Sequence, residues 1–460
     1  MSSLPADPFT TGIAEFARDF RAGKRSSAEV TRACLDRIAA LDPKLGAFEL
    51  VDEAGAMATS EAMDALRGQG IDLGPLMGVP IGVKDIIAVE GAPTTNGSNW
   101  PTEDLTGPEG TIVKQLKRAG CVILGKTKTV EFALGASGVN EVRGTPWNPW
   151  DARTHRTPGG SSSGSGVATA AGLCAFALGT DTGGSVRIPA CLNGLFGHKT
   201  TVGLWPTDGV FPLSPTLDSI GPLTRNAEDA AIVHAVITGE RLPQPARAET
   251  LRLGKPTNFF FDDLDPEVAS AFAAAESRLS DAGVEIVEIE IPEAVERERL
   301  FPAIVPVELL SRLTVDEFQK RRNDMDPTGA SRAAHGLTVT GIDYCAAQVR
   351  RQELEKIADG RFEGLDGWIA PTCAMLPLSV PGLSDPEVHA RSLLSSRNTQ
   401  PANIFVICAT TLPIHQFGSD LPVGLQLMAP QGEDARLLSM SQGLEAVLGA
   451  GASPDVSAFL

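Results

Sequence analysis

Short apolar runs alternate along this chain with segments of helical periodicity, and this alternation limits the fold more than any other feature. Residues 78–85 are apolar at 79, 81 and 83, as a strand is, and the short apolar run 121–124 follows a helical segment over 109–119. That spacing is typical of a β–α–β unit. Further strands are predicted over 284–291, 367–370 and 423–427, and further helices over 26–41, 51–67, 265–282 and 433–448. The alternation predicts an α/β fold with helices on both faces of a sheet.

Composition and charge exclude several classes of function. The chain has 460 residues, which is long enough to bury a large core without disulfides or metals. Its 39 basic and 57 acidic residues give a net charge of −18, which argues against direct nucleic-acid binding and against docking on anionic membranes. The seven cysteines are scattered and include no CxxC pair. We therefore expect free, buried thiols in a reducing compartment and no metal site.

The N-terminal residues and the most apolar stretch bear on location. Residues 1–12 include Pro5, Asp7 and Pro8 but no basic region, so we expect them not to form a signal peptide. The most apolar stretch, 167–179, consists of small residues and is too short to span a bilayer. We expect a cytoplasmic protein.

Two short segments match known sequence patterns, one for phosphate binding and one for a catalytic serine, but neither is expected to have that function. Residues 120–127 fit GxxxxGK[ST], but the four central residues are bulky and apolar, and the helix precedes them. They indicate a strand rather than a phosphate loop. Residues 160–164 fit the GxSxG nucleophile elbow, but no downstream histidine lies in a convincing motif. A flexible linker over 159–166 is not favoured either, since an ordered helical pattern follows.

The chain is rich in glycine, and the positions of the glycines indicate a candidate functional site. Many of the 47 glycines lie between 135 and 221, where the backbone is expected to turn tightly or to approach a ligand. The segment 179–190, GTDTGGSVRIPA, has two glycines before Ser185. Glycines there let consecutive N–H groups face one point, as an oxyanion requires. Ser185 is therefore a candidate nucleophile.

Three motifs taken together resemble the amidase signature family of serine hydrolases. They are GVPIGVKD with Lys84, TPGGSSSGSG with Ser161, and GTDTGGSVRIPA with Ser185. The two serines are 24 positions apart, as in the family. Matching segments also occur at 124–133, 148–151, 194–204, 219–231 and 420–430, so the resemblance extends over roughly residues 10–450. Ser163 and Thr200 depart from the residues that many members have, glycine and proline respectively.

The resemblance implies the amidase-signature fold, a large twisted mixed β-sheet covered by helices on both faces. We expect a single domain over 1–460, with N-terminal helices at about 10–67 and a catalytic core at about 75–230. A segment at about 295–345 forms either a lid or substrate-pocket wall, or a plain surface helix.

The resemblance also implies a Ser–Ser–Lys triad. Ser185 attacks the carbonyl, and Ser161 relays its proton to Lys84, which must be neutral to accept it. Burial without a carboxylate partner must therefore lower the pKa of Lys84 by several units. Asp85 follows Lys84 on a strand and so points to the opposite face. The family further implies a cis peptide bond between Gly160 and Ser161, where glycine reduces steric conflict.

The same resemblance assigns supporting residues around the nucleophile. The backbone N–H groups of Thr182, Gly183, Gly184 and Ser185 form the oxyanion hole. Asp181 and Arg187 flank the turn and are expected to pair, the alternative being two independent solvated charges. No metal or organic cofactor is required.

The substrate is the most open part of the prediction. We favour small apolar or aryl amides, and keep two alternatives. One is a carbamate (urethane) or urea-type hydrolase that uses the same triad, and the other is the A subunit of a tRNA-dependent glutamine amidotransferase. The expected partner is a small amide or carbamate, and a homodimer stays open. Candidates for an apolar substrate pocket are Phe132, Leu134, Trp205, Phe211, Met375 and Phe405.

Overall fold

The computed structural model describes residues 4–460 and, at Glu103, the backbone alone. In this part of the chain, eleven strands form one sheet in the order β1-β3-β2-β4-β6-β5-β10-β11-β9-β7-β8. The strands are β1 (Phe48–Val51), β2 (Pro80–Lys84), β3 (Val122–Thr127), β4 (Phe176–Asp181), β5 (Phe196–Lys199), β6 (Ser219–Thr224), β7 (Arg252–Pro256), β8 (Glu285–Ile289), β9 (Gly367–Pro371), β10 (Cys408–Pro413) and β11 (Gly424–Ala429).

Sixteen α-helices accompany the sheet within the described range. They are α1 (Gly12–Arg21), α2 (Ser27–Leu45), α3 (Glu53–Gly68), α4 (Glu103–Thr106), α5 (Thr111–Arg118), α6 (Ser163–Ala170), α7 (Arg187–Leu192), α8 (Ala227–Thr238), α9 (Pro266–Asp281), α10 (Arg297–Leu313), α11 (Val315–Arg321), α12 (Pro327–His335), α13 (Gly341–Arg361), α14 (Pro386–Ser392), α15 (Gln400–Ile404) and α16 (Asp434–Leu448). The predicted α/β class is confirmed.

The sheet is mixed, as the resemblance implied. Strand β2 runs parallel to both β3 and β4, whereas β4 pairs antiparallel with β6. Helix α5 lies between β2 and β3 in sequence, and these parallel strands form the predicted β–α–β unit. The segment 120–127 enters β3, so the interpretation of its GxxxxGK[ST] match as a strand is confirmed.

Helices pack on both faces of the sheet, and β11 shows this residue by residue. Leu427 lies in an apolar cluster with Leu437 of α16. The next residue, Met428, lies in a different cluster with Leu309 of α10. Because successive side chains of a strand point to opposite faces, the two clusters are the two sides of one sheet.

Local capping explains why the first predicted helix begins where it does. Ser26 Oγ accepts a hydrogen bond from the Glu29 N–H, and the Glu29 carboxylate accepts one from the Ser26 N–H, each at 3.3 Å. This reciprocal pair satisfies backbone donors that have no acceptor within the helix. The capping box visible in the sequence therefore fixes the start of α2.

All seven cysteines are free, in agreement with the sequence. Six are buried, but Cys345 is exposed, because it lies near the start of α13 on its solvent side. Between residues 4 and 460, no helix combines the length and the apolar character needed to cross a bilayer.

Candidate active site

Lys84 and Ser161 meet at the carboxyl end of β2. Lys84 Nζ donates hydrogen bonds to Ser161 Oγ at 2.7 Å and to Thr180 Oγ1 at 2.8 Å. Lys84 is the last residue of β2, and Thr180 lies near the end of the parallel strand β4 beside it. Parallel strands place their carboxyl ends at one edge of the sheet. The sheet therefore brings together residues that are far apart in sequence.

The environment of Lys84 favours the neutral amine. Burial lowers the pKa of Lys84 to about 7, although the negative charges of Asp218 and Asp181 act in the opposite direction. Asp85, the next residue in sequence, does not pair with it. Its carboxylate lies 2.7 Å from Lys126 Nζ, on the opposite side of the strand, as predicted.

Ser161 follows a tightly enclosed glycine. The predicted cis peptide bond between Gly160 and Ser161 is present. A Cβ atom at Gly160 would lie 2.8 Å from the carbonyl oxygen of Gly135 and 2.8 Å from the backbone of Gly138. Side chains do not fit at such distances, so this position requires glycine for space.

Ser185 borders the site from the turn that leads into α7. Its carbonyl oxygen accepts a hydrogen bond from the Ser162 N–H at 3.3 Å, which ties this turn to the segment that holds Ser161. Among the described residues, Ser185 Oγ has no hydrogen-bond partner, so the predicted Ser161–Ser185 hydroxyl contact is not formed here. Hydrogen bonds of this kind commonly tighten only when substrate binds. The structure thus joins Lys84 to Ser161 and places Ser185 beside them.

Asp181 and Arg187 form the expected ion pair. Arg187 Nη2 lies 2.9 Å from Asp181 Oδ1, and both side chains are fully buried. Arg187 also donates to the Gln426 and Asn403 side chains, at 2.6 and 2.7 Å. Burial opposes ionisation of Asp181, but the Arg187 guanidinium outweighs it and holds the pKa of Asp181 well below its usual range. The pair anchors both ends of the turn that carries Ser185.

The turn itself leaves three of the four predicted oxyanion donors available. The Gly184 N–H donates to Asp181 Oδ1 at 2.8 Å, so it is occupied within the protein. Among the described residues, the N–H groups of Thr182, Gly183 and Ser185 have no acceptor, and all three residues line a cavity. Gly184 is therefore removed from the predicted set, because its N–H holds the carboxylate that shapes the turn.

The cavity next to Ser185 has a volume of about 380 Å³, which suits a small molecule. Its walls are mostly apolar and include Leu134, Ile188, Phe301 and Val305. The segment about 295–345 supplies part of the wall through α10 and α12, including two charged side chains, Arg297 and Arg332. Whether this segment also moves as a lid stays a prediction.

Most of the predicted apolar pocket residues belong to the core. Leu134 lines the cavity, but Phe132 and Met375 do not. Phe132 is fully buried, with its ring 5.3 Å from Trp100 and 5.5 Å from Phe211. Three further candidates are also buried outside the cavity wall: Trp205, Phe211 and Phe405. Hydrophobicity predicts burial, but it does not tell whether a buried ring faces the core or a cavity.

Several residues of the site have no role in the sequence prediction. Thr180 lies within the 179–190 motif, which is the signal that points to it, and it accepts a hydrogen bond from Lys84 Nζ. Asp218 accepts a hydrogen bond from Thr182 Oγ1 at 2.5 Å, and burial raises the pKa of Asp218 to about 7. Arg297 and Arg332 come from helices whose facing depends on tertiary packing, so spacing alone could not place them.

Comparison with known proteins gives consistent matches over nearly the whole chain. The family model described as Amidase matches residues 29–438. The 2-amino-5-chloromuconic acid deaminase of Comamonas testosteroni is 38% identical over 446 residues, covering 95% of this chain and 96% of the relative. The A subunit of the glutamyl-tRNA(Gln) amidotransferase from Acidothermus cellulolyticus is 35% identical, covering 94% and 93%. A crystal structure described as an amidase superposes with a TM-score of 0.87 at 29% identity, covering 95% of this chain and 100% of that one.

Proposed function

The chain belongs to the amidase family of C–N hydrolases, and from this premise we propose that it hydrolyses small amides with Ser185 as nucleophile, Ser161 as proton relay and Lys84 as general base. The observation that carries the proposal is the buried 2.7 Å contact between Lys84 Nζ and Ser161 Oγ. The Ser162–Ser185 backbone hydrogen bond links that contact to a serine on the cavity wall.

Acylation begins when Ser185 Oγ bonds to the carbonyl carbon of the substrate. The hydroxyl proton of Ser185 passes to Ser161 Oγ, and the proton of Ser161 passes to the neutral amine of Lys84. The carbonyl oxygen becomes an oxyanion, which the N–H groups of Thr182, Gly183 and Ser185 stabilise. Preorganised donors of this kind typically contribute about 10²–10³-fold each to the rate.

Collapse of the tetrahedral intermediate breaks the C–N bond. The proton held by Lys84 returns through Ser161 to the leaving nitrogen, which departs as a neutral amine or ammonia. Water then attacks the acyl-enzyme by the same proton route, which releases the carboxylic acid and restores the Ser185 hydroxyl. Every step uses residues of this chain.

The cavity supports a small substrate with an apolar body. Its volume of about 380 Å³ and its apolar side chains, such as Leu134 and Phe301, suit a short aliphatic or aryl acyl group. The relative named as a 2-amino-5-chloromuconic acid deaminase acts, by that name, on a small nitrogen-bearing organic acid. We extend the small size of that compound to the substrate of this chain.

A second candidate function is that of the A subunit in a glutamine amidotransferase. The 35% identity to such a protein over 94% of this chain favours it. That function would make glutamine the amide donor and would require partner proteins. The carbamate or urea alternative differs only in the atom beside the carbonyl, so the proposed triad serves it equally.

The test compares four substrates under one set of conditions. Aniline release is measured from acetanilide and ethyl N-phenylcarbamate, and ammonia release from hexanamide and L-glutamine. We expect the amides to react faster than the carbamate, and Ser185→Ala, Ser161→Ala and Lys84→Met each to lose at least about 10³-fold in rate. Faster carbamate cleavage would favour a urethanase, and glutamine preference with co-purifying partner proteins would favour the amidotransferase.

Ser163→Ala is the matched control for Ser161→Ala. Ser163 is equally buried and two positions away, and its hydroxyl has no hydrogen-bond partner among the described residues. We expect this variant to keep activity within about twofold, since surplus hydroxyls away from the reacting atoms contribute little. Equal losses in the two variants would mean that Ser161 acts through packing and would contradict the relay.

A further inference from the structure

The cavity beside Ser185 carries a charge opposite to that of the protein. The chain as a whole has a net charge of −18. Among the described side chains, however, the cavity wall holds two arginines, Arg297 and Arg332, together with His335 and no carboxylate. Acidic residues outnumber basic ones in this sequence, so a wall that has only cationic charges is informative. It indicates complementarity to a negatively charged ligand group.

Arg332 lacks a counter-ion within the described part of the protein. Its Nη1 atom lies 3.5 Å from the Leu134 carbonyl oxygen, at the limit of a hydrogen bond. In the same part of the chain, no carboxylate oxygen lies within the 4.0 Å of an ion pair. The negative charge of Asp326 acts on it, but burial still lowers the pKa of Arg332. Arg332 is half-buried, and a guanidinium partly removed from water without a paired anion is costly, so a ligand carboxylate would offset that cost.

Asp326 is occupied by other donors and does not compete for Arg332. Its Oδ1 atom accepts hydrogen bonds from the N–H groups of Thr328 and Gly329, at 3.0 and 3.1 Å. Its Oδ2 atom accepts the N–H of Glu141 at 3.0 Å. The carboxylate therefore caps α12 instead of neutralising the arginine that the same helix presents to the cavity.

Arg297 is the second cation and lies against the predicted oxyanion turn. Its Nη1 atom donates to Gln400 Oε1 at 2.7 Å, and its buried Nε has no partner among the described residues. Gln400 in turn packs on the turn, since a Cβ at Gly183 would lie 3.3 Å from Gln400 Cγ. Glu298 lies 3.8 Å from Arg297 and is 59% exposed, so it neutralises Arg297 only weakly.

We propose that the natural substrate carries a carboxylate at the end remote from the scissile C–N bond, and that the Arg332 guanidinium binds it with Arg297 as the second cation. The substrate class is a short amide of a dicarboxylic acid, in which one carboxyl is the amide and the other is free. This inference rests on the proposed amidase chemistry, to which it adds the identity of the recognised group. The apolar walls accommodate the carbon chain between the two ends.

The activity test compares acids with neutral amides of the same length. Succinamate, glutaramate and adipamate are assayed against butanamide, pentanamide and hexanamide by ammonia release. We expect the acid of the best pair to exceed its neutral partner in kcat/KM by about 10- to 100-fold, mostly through KM, as hydrogen bonds to a charged group do. Arg332→Met should bring that ratio close to one, and Arg332→Lys should restore part of it.

Arg299→Met is the control, because Arg299 lies on α10 with a 62% exposed side chain and pairs with Glu296 outside the cavity. It should leave the ratio within about twofold of the wild-type value. An equal rate on acids and neutral amides, or an unchanged ratio in Arg332→Met, would overturn the carboxylate site and leave the amidase proposal standing.

A binding measurement tests the carboxylate site independently of the proposed amidase reaction. Calorimetric titration of Ser185→Ala with succinate, glutarate and adipate should detect binding of at least one dicarboxylate. Adding Arg332→Met to that variant should weaken the binding by about tenfold or more. Arg332-dependent binding without turnover of any amide would support the site and refute the amidase proposal. Absence of binding to all three would overturn the site.

Discussion

A lysine accepts a proton only as the neutral amine, so the rate should follow the titration of Lys84. Burial lowers its pKa from 10.5 to about 7. At pH 7 about half of Lys84 is then neutral, against about 3 in 10⁴ for a lysine of ordinary pKa, a gain of roughly 10³-fold. Below pH 7 the neutral fraction falls about tenfold per unit. We therefore expect kcat/KM to rise with slope one up to about pH 7 and then to level.

The assay is the pH profile of kcat/KM on a neutral amide, measured from about pH 5.5 to 9. Hexanamide is suitable, because it does not itself ionise in this range. Asp218 is a negative charge that favours protonated Lys84, so Asp218→Asn should move the inflection to lower pH. Because burial raises the pKa of Asp218 to about 7 as well, the wild-type profile belongs to the coupled pair.

A direct titration of Lys84 is needed beside the rate profile, because a change of rate-limiting step with pH would also shift the inflection of kcat/KM. The ¹³Cε resonances of labelled lysines are followed by NMR, and the spectrum of Lys84→Met assigns the signal of Lys84. Lys199 is the internal comparison, since it is also buried and its pKa is lowered to about 8. A Lys84 signal that titrates above about pH 9, or a rate that is flat across the range, would refute the general-base role.

Three further outcomes follow from the same contacts. Lys84→Met should raise the free energy of unfolding at pH 7 by about 1–4 kcal/mol, because a buried amine with a lowered pKa is replaced by an apolar side chain. Between about pH 7 and 10.5 Lys84 holds a proton in the unfolded wild-type chain more often than in the folded one, so the free energy of unfolding of the wild type should rise with pH there. Urea titrations at several pH values should show that the free energy of unfolding of Lys84→Met lacks this rise. Arg187→Met should lower the free energy of unfolding by about 3–5 kcal/mol, because it leaves the fully buried carboxylate of Asp181 without its ion-pair partner. The control is the exposed Arg299→Met, for which we expect a loss below about 1 kcal/mol. A similarly small loss in Arg187→Met would contradict the reasoning. Gly183→Ala places a Cβ 2.6 Å from Phe301 Cζ and should lower kcat/KM at least about tenfold. Adding Phe301→Ala removes this clash and should restore part of the activity. If no activity returns, the clash with Phe301 is not the cause of the loss.

Elements with strong local signals could be predicted from the sequence. Helix α2 has its capping box, β2 has alternating apolar residues, and α9 ends before Gly283, whose φ of +92° suits a glycine. The sequence does not predict strand β4, because the small apolar residues of 167–179 continue the helical pattern that follows 159–166. The structure divides that run at Gly172, with α6 before it and β4 after it.

The residues of the site likewise fall into two groups, those that sequence motifs identify and those that depend on tertiary packing. Lys84, Ser161 and Ser185 lie in motifs whose residue types are visible in the sequence, and the structure brings them to one region. Arg297 and Arg332 belong to α10 and α12, more than 100 positions after Ser185, where the pattern is weak. Whether such side chains face solvent or a cavity depends on how the helices pack, and single-sequence periodicity does not determine that.

The two walls of the cavity come from separate stretches of the chain. The proposed chemical groups lie between Lys84 and Arg187, on the sheet edge and its turns, whereas the charged wall comes from 297–400. Both hydrogen bonds of Lys84, to Ser161 and Thr180, lie within the earlier stretch. A substitution at a charged wall residue such as Arg332 therefore alters the recognised group while both hydrogen bonds of Lys84 are retained, so that substrate preference and proton transfer are changed at different places in the chain.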